Sequence, residues 1–151
     1  MTFRWQPASA TIDAMERLYG IVALICGIVA AVGGAAPVGE LVACRVVSVH
    51  DGDTLRAIDG SNRELRVRLH GIDAPELGQP FGRKARDYLT DLVKGREVTL
   101  RVEGRDKYGR TLAAVVLEGR EINRELVAAG MAWHYARFSD DPQLAGAQRA
   151  A

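Results

Sequence analysis

The chain holds too little cysteine for disulfides to shape it. Only Cys26 and Cys44 occur, and Cys26 lies inside an uncharged apolar run, so a disulfide framework is excluded. It also lacks an excess of either charge, with 20 Lys and Arg against 19 Asp and Glu and a net charge of +1. A global basic field that advertises nucleic acid is therefore absent, and any binding patch must be local. Internal repeats and low-complexity tracts are missing as well. His50, His70 and His134 stand on separate segments without ligand-like spacing, which argues against a zinc site. What remains is 151 residues, 48% of them hydrophobic and 26% charged, enough for one domain with a core of its own.

The first forty residues are of a different kind. No charge occurs from Leu18 to Ala36, and Ile21 to Val32 is apolar or glycine throughout. That length suits a helix crossing the hydrocarbon core of a bilayer. The run ends in Gly33-Gly34-Ala35-Ala36-Pro37, small residues of the kind a signal peptidase accepts, with cleavage expected no later than Ala35. Residues 1–40 are thus expected to be a signal peptide or membrane anchor plus linker. The domain at 41–151 would then lie outside the cytoplasm, secreted, periplasmic or tethered through residues 18–36. Arg4 and Arg17 are offset by Asp13 and Glu16, so orientation is not specified.

Within the domain, Leu41 to His50 is Val-rich and bounded by Asp51-Gly52, which predicts a strand. Cys44 falls inside it as a small apolar residue. Thr54 to Ile58 follows, then the hairpin turn Asp59-Gly60-Ser61-Asn62. Arg63 to Ile72 alternates, with Leu65, Val67 and Leu69 on one face and Glu64, Arg66, Arg68 and His70 on the other. Arg68 is therefore expected on an accessible face. Three- and four-residue spacings predict a helix from Phe81 to Val93, ended by Gly95. Strands are expected at 97–102 and 111–117, and a helix at 122–129. The pattern fades over 131–138, and a last helix begins near Gln143 and is expected to be cut short at Ala151. The sum is an α+β, mostly β chain: a five-stranded OB-like barrel with appended helices, preceded by an N-terminal apolar helix.

The chemistry concentrates in three places. Asp51-Gly52-Asp53-Thr54 and Gly71-Ile72-Asp73-Ala74-Pro75-Glu76 put carboxylates at chain reversals, Arg68 precedes the second, and Asp106-Lys107-Tyr108-Gly109-Arg110 follows. Carboxylates that can hold a divalent cation, a spare carboxylate and two guanidinium forks make a kit for attacking a phosphodiester. Each part has a plainer reading. Asp51 and Asp53 also suit a turn, Arg68 and Glu76 a surface ion pair, and Tyr108 simple packing. Trp133, Tyr135 and Phe138 could offer bases a stacking surface, but the rim of the core is the preferred reading.

With these motifs in this order, the chain resembles the staphylococcal nuclease-like (thermonuclease) family from about Ala43 to Phe138, including Asn123 and the helix end Leu126 to Gly130. The resemblance implies that Asp53, Asp73 and the backbone carbonyl of Ala74 ligate Ca²⁺. Ala74 stands where the best-known member has threonine, a change that a carbonyl ligand survives. It implies further that Glu76 activates water, that Arg68 and Arg110 bind the scissile phosphate, and that Lys107 and Tyr108 touch a neighbouring one. The implied activity is a monomeric Ca²⁺-dependent nuclease on DNA, with RNA as an open second substrate, releasing 3′-phosphates. The competing expectation is a catalytically silent binding module on the same fold, tethered at the membrane.

Overall fold

The computed structural model describes residues 39–151; the apolar segment at 18–36 lies outside the described residues. Strands β1 (Leu41–Val49), β2 (Thr54–Asp59) and β3 (Glu64–Leu69) form an antiparallel meander. A two-residue β4 (Ile72–Asp73) follows, then helix α1 (Gly82–Val93). Strands β5 (Glu97–Arg105) and β6 (Thr111–Leu117) precede a short β7 (Arg120–Glu121) and helix α2 (Ile122–Ala128). The chain ends in β8 (Trp133–His134) and helix α3 (Pro142–Ala150).

The main sheet runs β3-β2-β1-β5-β6-β7, and a parallel pairing of β3 with β6 closes five of these strands into a barrel. This is the OB-like architecture expected from the strand order. Alternate side chains fill it, among them Val46, Leu55, Val67, Leu69, Leu100, Val102 and Val115, all essentially without solvent contact. Burying each such side chain contributes about 1.5–3 kcal/mol. Helix α1 covers the barrel with Ala85, Leu89 and Val93, one residue per turn. Cys44 is buried in β1, and burial above all pushes its thiol up to about 11, with Glu97 and Asp59 adding to the rise.

Helix α2 is bolted on by Asn123, which is 1% exposed. Its side-chain oxygen accepts the Val115 N–H at 3.0 Å, and its amide donates to the His70 carbonyl at 2.9 Å. One side chain thus satisfies backbone groups where β3 and β6 meet. Helix α3 starts on Asp141, whose carboxylate accepts the Gln143 N–H at 2.7 Å, with Pro142 in the first turn. Its Leu144 presses on Gly71, where an added Cβ would come within 2.8 Å of it.

Two boundaries differ from expectation. The alternation of β3 was expected to run to Ile72, but the strand stops at Leu69 because Gly71 turns the chain at φ +74. Beyond the turn, Ile72 and Asp73 pair with His134 and Trp133 instead, a small second sheet in the region where the sequence pattern faded. Strand β5 was expected to stop at Val102 and reaches Arg105, carried past a register shift between Val102 and Gly104. That polar end holds the third motif.

Candidate active site

The first two motifs meet because Gly52 has no side chain. A Cβ there would stand 2.6 Å from that of Ala74 and 2.8 Å from that of Ala85. The β1–β2 loop therefore seats directly on the loop after β4 and on α1. Asp53 comes to rest buried beneath this junction. Its Oδ2 accepts the Ala74 N–H at 2.8 Å, its Oδ1 accepts the Thr54 hydroxyl at 3.1 Å, and its own N–H donates to Asp51 Oδ1 at 3.0 Å. Asp51 is thus the support of Asp53.

Arg68 joins the two acidic clusters. Its Nη1 pairs with the Asp53 carboxylate and its Nη2 donates to Asp73 Oδ1 at 2.9 Å. The surface ion pair with Glu76 is not what forms. Nor is the face freely accessible, as the alternation of β3 had suggested: the Arg68 side chain is 17% exposed because both loops fold over it. Among the described residues, Arg68 Nη1 is fully buried against the Asp53 carboxylate and makes no other hydrogen bond.

Burial pushes Asp53 up to about 7, against the pull of Arg68 and the Ala74 N–H, and the charge of Asp51 adds to the rise. Asp73 stays half-exposed. Two carboxylates of unequal burial are drawn to one guanidinium, and all nearby donors are oxygens. Among the described residues, no cluster of three His, Cys, Asp or Glu side chains is arranged to hold a metal. A cation here would need carbonyl and water oxygens beside the two aspartates. Such a mixed oxygen set fits Ca²⁺ and not a soft metal.

Glu76 is exposed at the tip of its loop. The loop is stapled beneath it. Glu76 N–H donates to the Gln79 side chain at 2.9 Å, its carbonyl accepts the Gln79 N–H at 2.8 Å, and Gly82 packs so closely that a Cβ would sit 1.9 Å from that carbonyl. An exposed carboxylate on a pinned backbone suits proton transfer.

The third motif is its own unit. Asp106 Oδ1 accepts the N–H groups of Tyr108 and Arg110, each at 2.9 Å, while Oδ2 takes Arg110 Nε at 2.7 Å. Burial alone would raise the Asp106 carboxyl, but the bonds from Arg110 and Tyr108 outweigh it and hold the group below its usual range. Lys107 Nζ and the Arg110 guanidinium lie 5.0 and 5.7 Å from the centre of the exposed Tyr108 ring. Arg110 immediately precedes Thr111, the partner of Val67 across the barrel seam, so the motif emerges beside β3 level with Arg66, two residues before Arg68.

The sign of this carboxyl's effect on stability follows directly. A depressed folded pKa contributes stability above the ordinary carboxylate value that is lost as pH falls through the depressed one. Asp106→Asn should therefore lower the Tm on the order of 5 °C at neutral pH. The gap to the unaltered protein should narrow as the melts are taken down below the ordinary carboxylate range. A gap that stays constant with pH would show that the turn does not depend on the charge.

A profile described as staphylococcal nuclease homologue matches residues 66–151. The chain belongs to this family. The match takes in Arg68, Asp73, Glu76 and Arg110, while Asp53 lies ahead of it and joins them through the contacts above. Among curated relatives, an uncharacterized endonuclease of Haemophilus influenzae is 48% identical over 105 residues, 70% of this chain and 59% of that protein. An uncharacterized endonuclease of Escherichia coli is 45% identical over 101 residues, 66% of this chain and 65% of that one. A staphylococcal-like nuclease, CAN1, of Arabidopsis thaliana is 34% identical over 83 residues, 55% and 26% of the two chains. This staphylococcal nuclease homologue therefore spans under two thirds of the length of the bacterial relatives it matches.

The three motifs were legible in sequence, with Asp51 already read as a turn former, but the glycines that seat them were not. Gly52 and Gly82 act by lacking a side chain, and only a three-dimensional contact shows that. Asp106 sits inside the third motif, so its spacing of four from Arg110 was a usable signal. Trp133, Tyr135 and Phe138 were read as the core rim; they are instead exposed, Trp133 at 56% and Phe138 at 60%.

Proposed function

We propose that the domain is a calcium-dependent phosphodiesterase that hydrolyses DNA, and RNA as a second substrate, leaving 3′-phosphate and 5′-hydroxyl ends. One observation carries the reading: Arg68 engages Asp53 and Asp73, from two separate motifs, with the two ends of one guanidinium. Asp53, Asp73 and the Ala74 carbonyl would hold the Ca²⁺, which when bound supplies positive charge against a phosphate oxygen. Glu76 takes a proton from the attacking water. Arg68 and Arg110 clamp the phosphate oxygens with planar forks and stabilise the charge that develops on them. The new bond joins the water oxygen to phosphorus, and the 5′-oxygen departs and is protonated. Lys107 and Tyr108 meet the neighbouring phosphate beside Arg110.

We further read the segment at 18–36 as an export signal or anchor that places a monomeric domain outside the cytoplasm. Among the described residues no helix is long and apolar enough to cross a membrane.

The deciding experiment incubates the purified chain with single-stranded DNA, with Ca²⁺ or with excess chelator, and maps the ends. Cleavage is expected with Ca²⁺ only, and Asp53→Ala should raise the Ca²⁺ needed. A folded protein inert in both conditions would favour the silent binding module, and cutting in chelator would remove the metal from the reading.

A further inference from the structure

Beside the catalytic loop lies a cleft of about 400 Å³ whose walls include Phe81, Trp133, Pro75, Pro80 and Met131. Neither aromatic ring serves the core: Phe81 is 69% and Trp133 56% exposed. Phe81 is the residue before α1 and holds a left-handed φ of +65, which a bulky side chain rarely adopts. Trp133 is the register partner of Asp73 in the β4–β8 pair. The cleft thus adjoins the candidate active site, since Pro75 separates Ala74 from Glu76 and Trp133 is the register partner of Asp73. A second cleft shares Gln79, Pro80 and Phe81 and is lined by Arg83 and Lys84. Lys84 Nζ lies 5.9 Å from the Phe81 ring centre.

Flat aromatic walls of low polarity next to a phosphate-cleaving centre, with cations along the adjoining edge, match one occupant: an unpaired nucleobase whose own backbone phosphates run past Arg83 and Lys84. A base within a duplex cannot enter, because its face and pairing edge are already engaged. We propose that the cleft between Phe81 and Trp133 is a base-stacking subsite that selects single-stranded nucleic acid for the neighbouring centre. This rests on the phosphodiesterase reading for its purpose, but its binding chemistry can be tested alone.

The full chain, held in chelator so that nothing is cut, is titrated into a fluorescently labelled short oligothymidylate. It is titrated in parallel into the same sugar-phosphate chain made entirely of abasic residues. The protein should prefer the base-bearing strand by roughly tenfold or more, the scale of one stacked base. Trp133→Ala should erase that preference, Trp133→Phe should keep it, and Phe81→Ala should reduce it. Lys84→Ala should weaken both ligands alike. Equal binding of the two strands by the unaltered protein, or a preference that survives Trp133→Ala, overturns the subsite. Restoring Ca²⁺ to the same samples separates the two readings. Failure to cut with base preference intact sinks the phosphodiesterase and leaves the subsite standing.

Discussion

Replacing Arg68 by lysine should cost on the order of 10²–10³ in kcat/KM while leaving the fold close to native, whereas alanine should cost activity and stability together. Lysine keeps a positive charge near Asp53 and Asp73, but its three donors radiate from one nitrogen, where the planar guanidinium engages both carboxylates from two separate nitrogens. It therefore cannot hold the two loops and also take a phosphate oxygen. Alanine goes further, because it leaves the buried Asp53 without its cation. Breaking a buried pair in this way costs about 3–5 kcal/mol as an upper range. Asp53 escapes part of that cost by taking a proton, since burial already raises its pKa to about 7. The penalty should accordingly be smaller in mildly acidic solution than above neutrality. Parallel kinetics and thermal melts of the two variants check this. Lysine with near-native kcat/KM, or alanine as stable as the unaltered protein, would show that Arg68 joins nothing.

That result bears on how far the sequence could be read. Alternation in β3 put Arg68 on the face opposite Val67 and Leu69, and that is where it is. What alternation cannot report is whether a face is open. A strand pattern encodes which way a side chain points, and the covering of that side comes from loops distant in sequence, here the one ending in Asp53 and the one starting at Asp73. The same limit explains the aromatic residues near the end of the chain. Trp133 belongs to a two-residue strand whose pairing with Ile72–Asp73 is set by the turn at Gly71, and two residues are too few to show a period. The barrel itself was legible because five of its strands carry enough Val, Leu and Ile at period two to be counted. Asn123 was recognisable only by resemblance, since its role is to satisfy the backbone of β3 and β6, and no local pattern marks such a position.

Gly82→Ala, at the first residue of α1, should lower kcat about 10²-fold while Gly78→Ala, four residues earlier in the preceding loop, should be silent. Glycine in a loop is commonly there for backbone freedom, but neither position needs it, as neither has a positive φ. They differ in what a methyl group would meet. At Gly78 there is nothing within 4 Å, and at Gly82 the Glu76 carbonyl oxygen stands 1.9 Å away with its carbon at 2.6 Å. A backbone oxygen cannot rotate aside as a side chain can. Either α1 or the Glu76 loop must shift by on the order of 1 Å, at a cost of about 1–3 kcal/mol in stability. Helix α1 is anchored by Ala85, Leu89 and Val93 in the core, so the loop is the part that gives. Its movement would break the bonds linking Glu76 to Gln79 and displace the carboxylate from the position proposed for proton transfer, which should lower kcat more than it raises KM. Substrate affinity should survive, because Arg68, Lys107 and Arg110 are held by other elements. Steady-state kinetics on the two variants decide the matter. Native kcat in Gly82→Ala would mean that the position of Glu76 is immaterial, and the proton acceptor would have to be sought elsewhere.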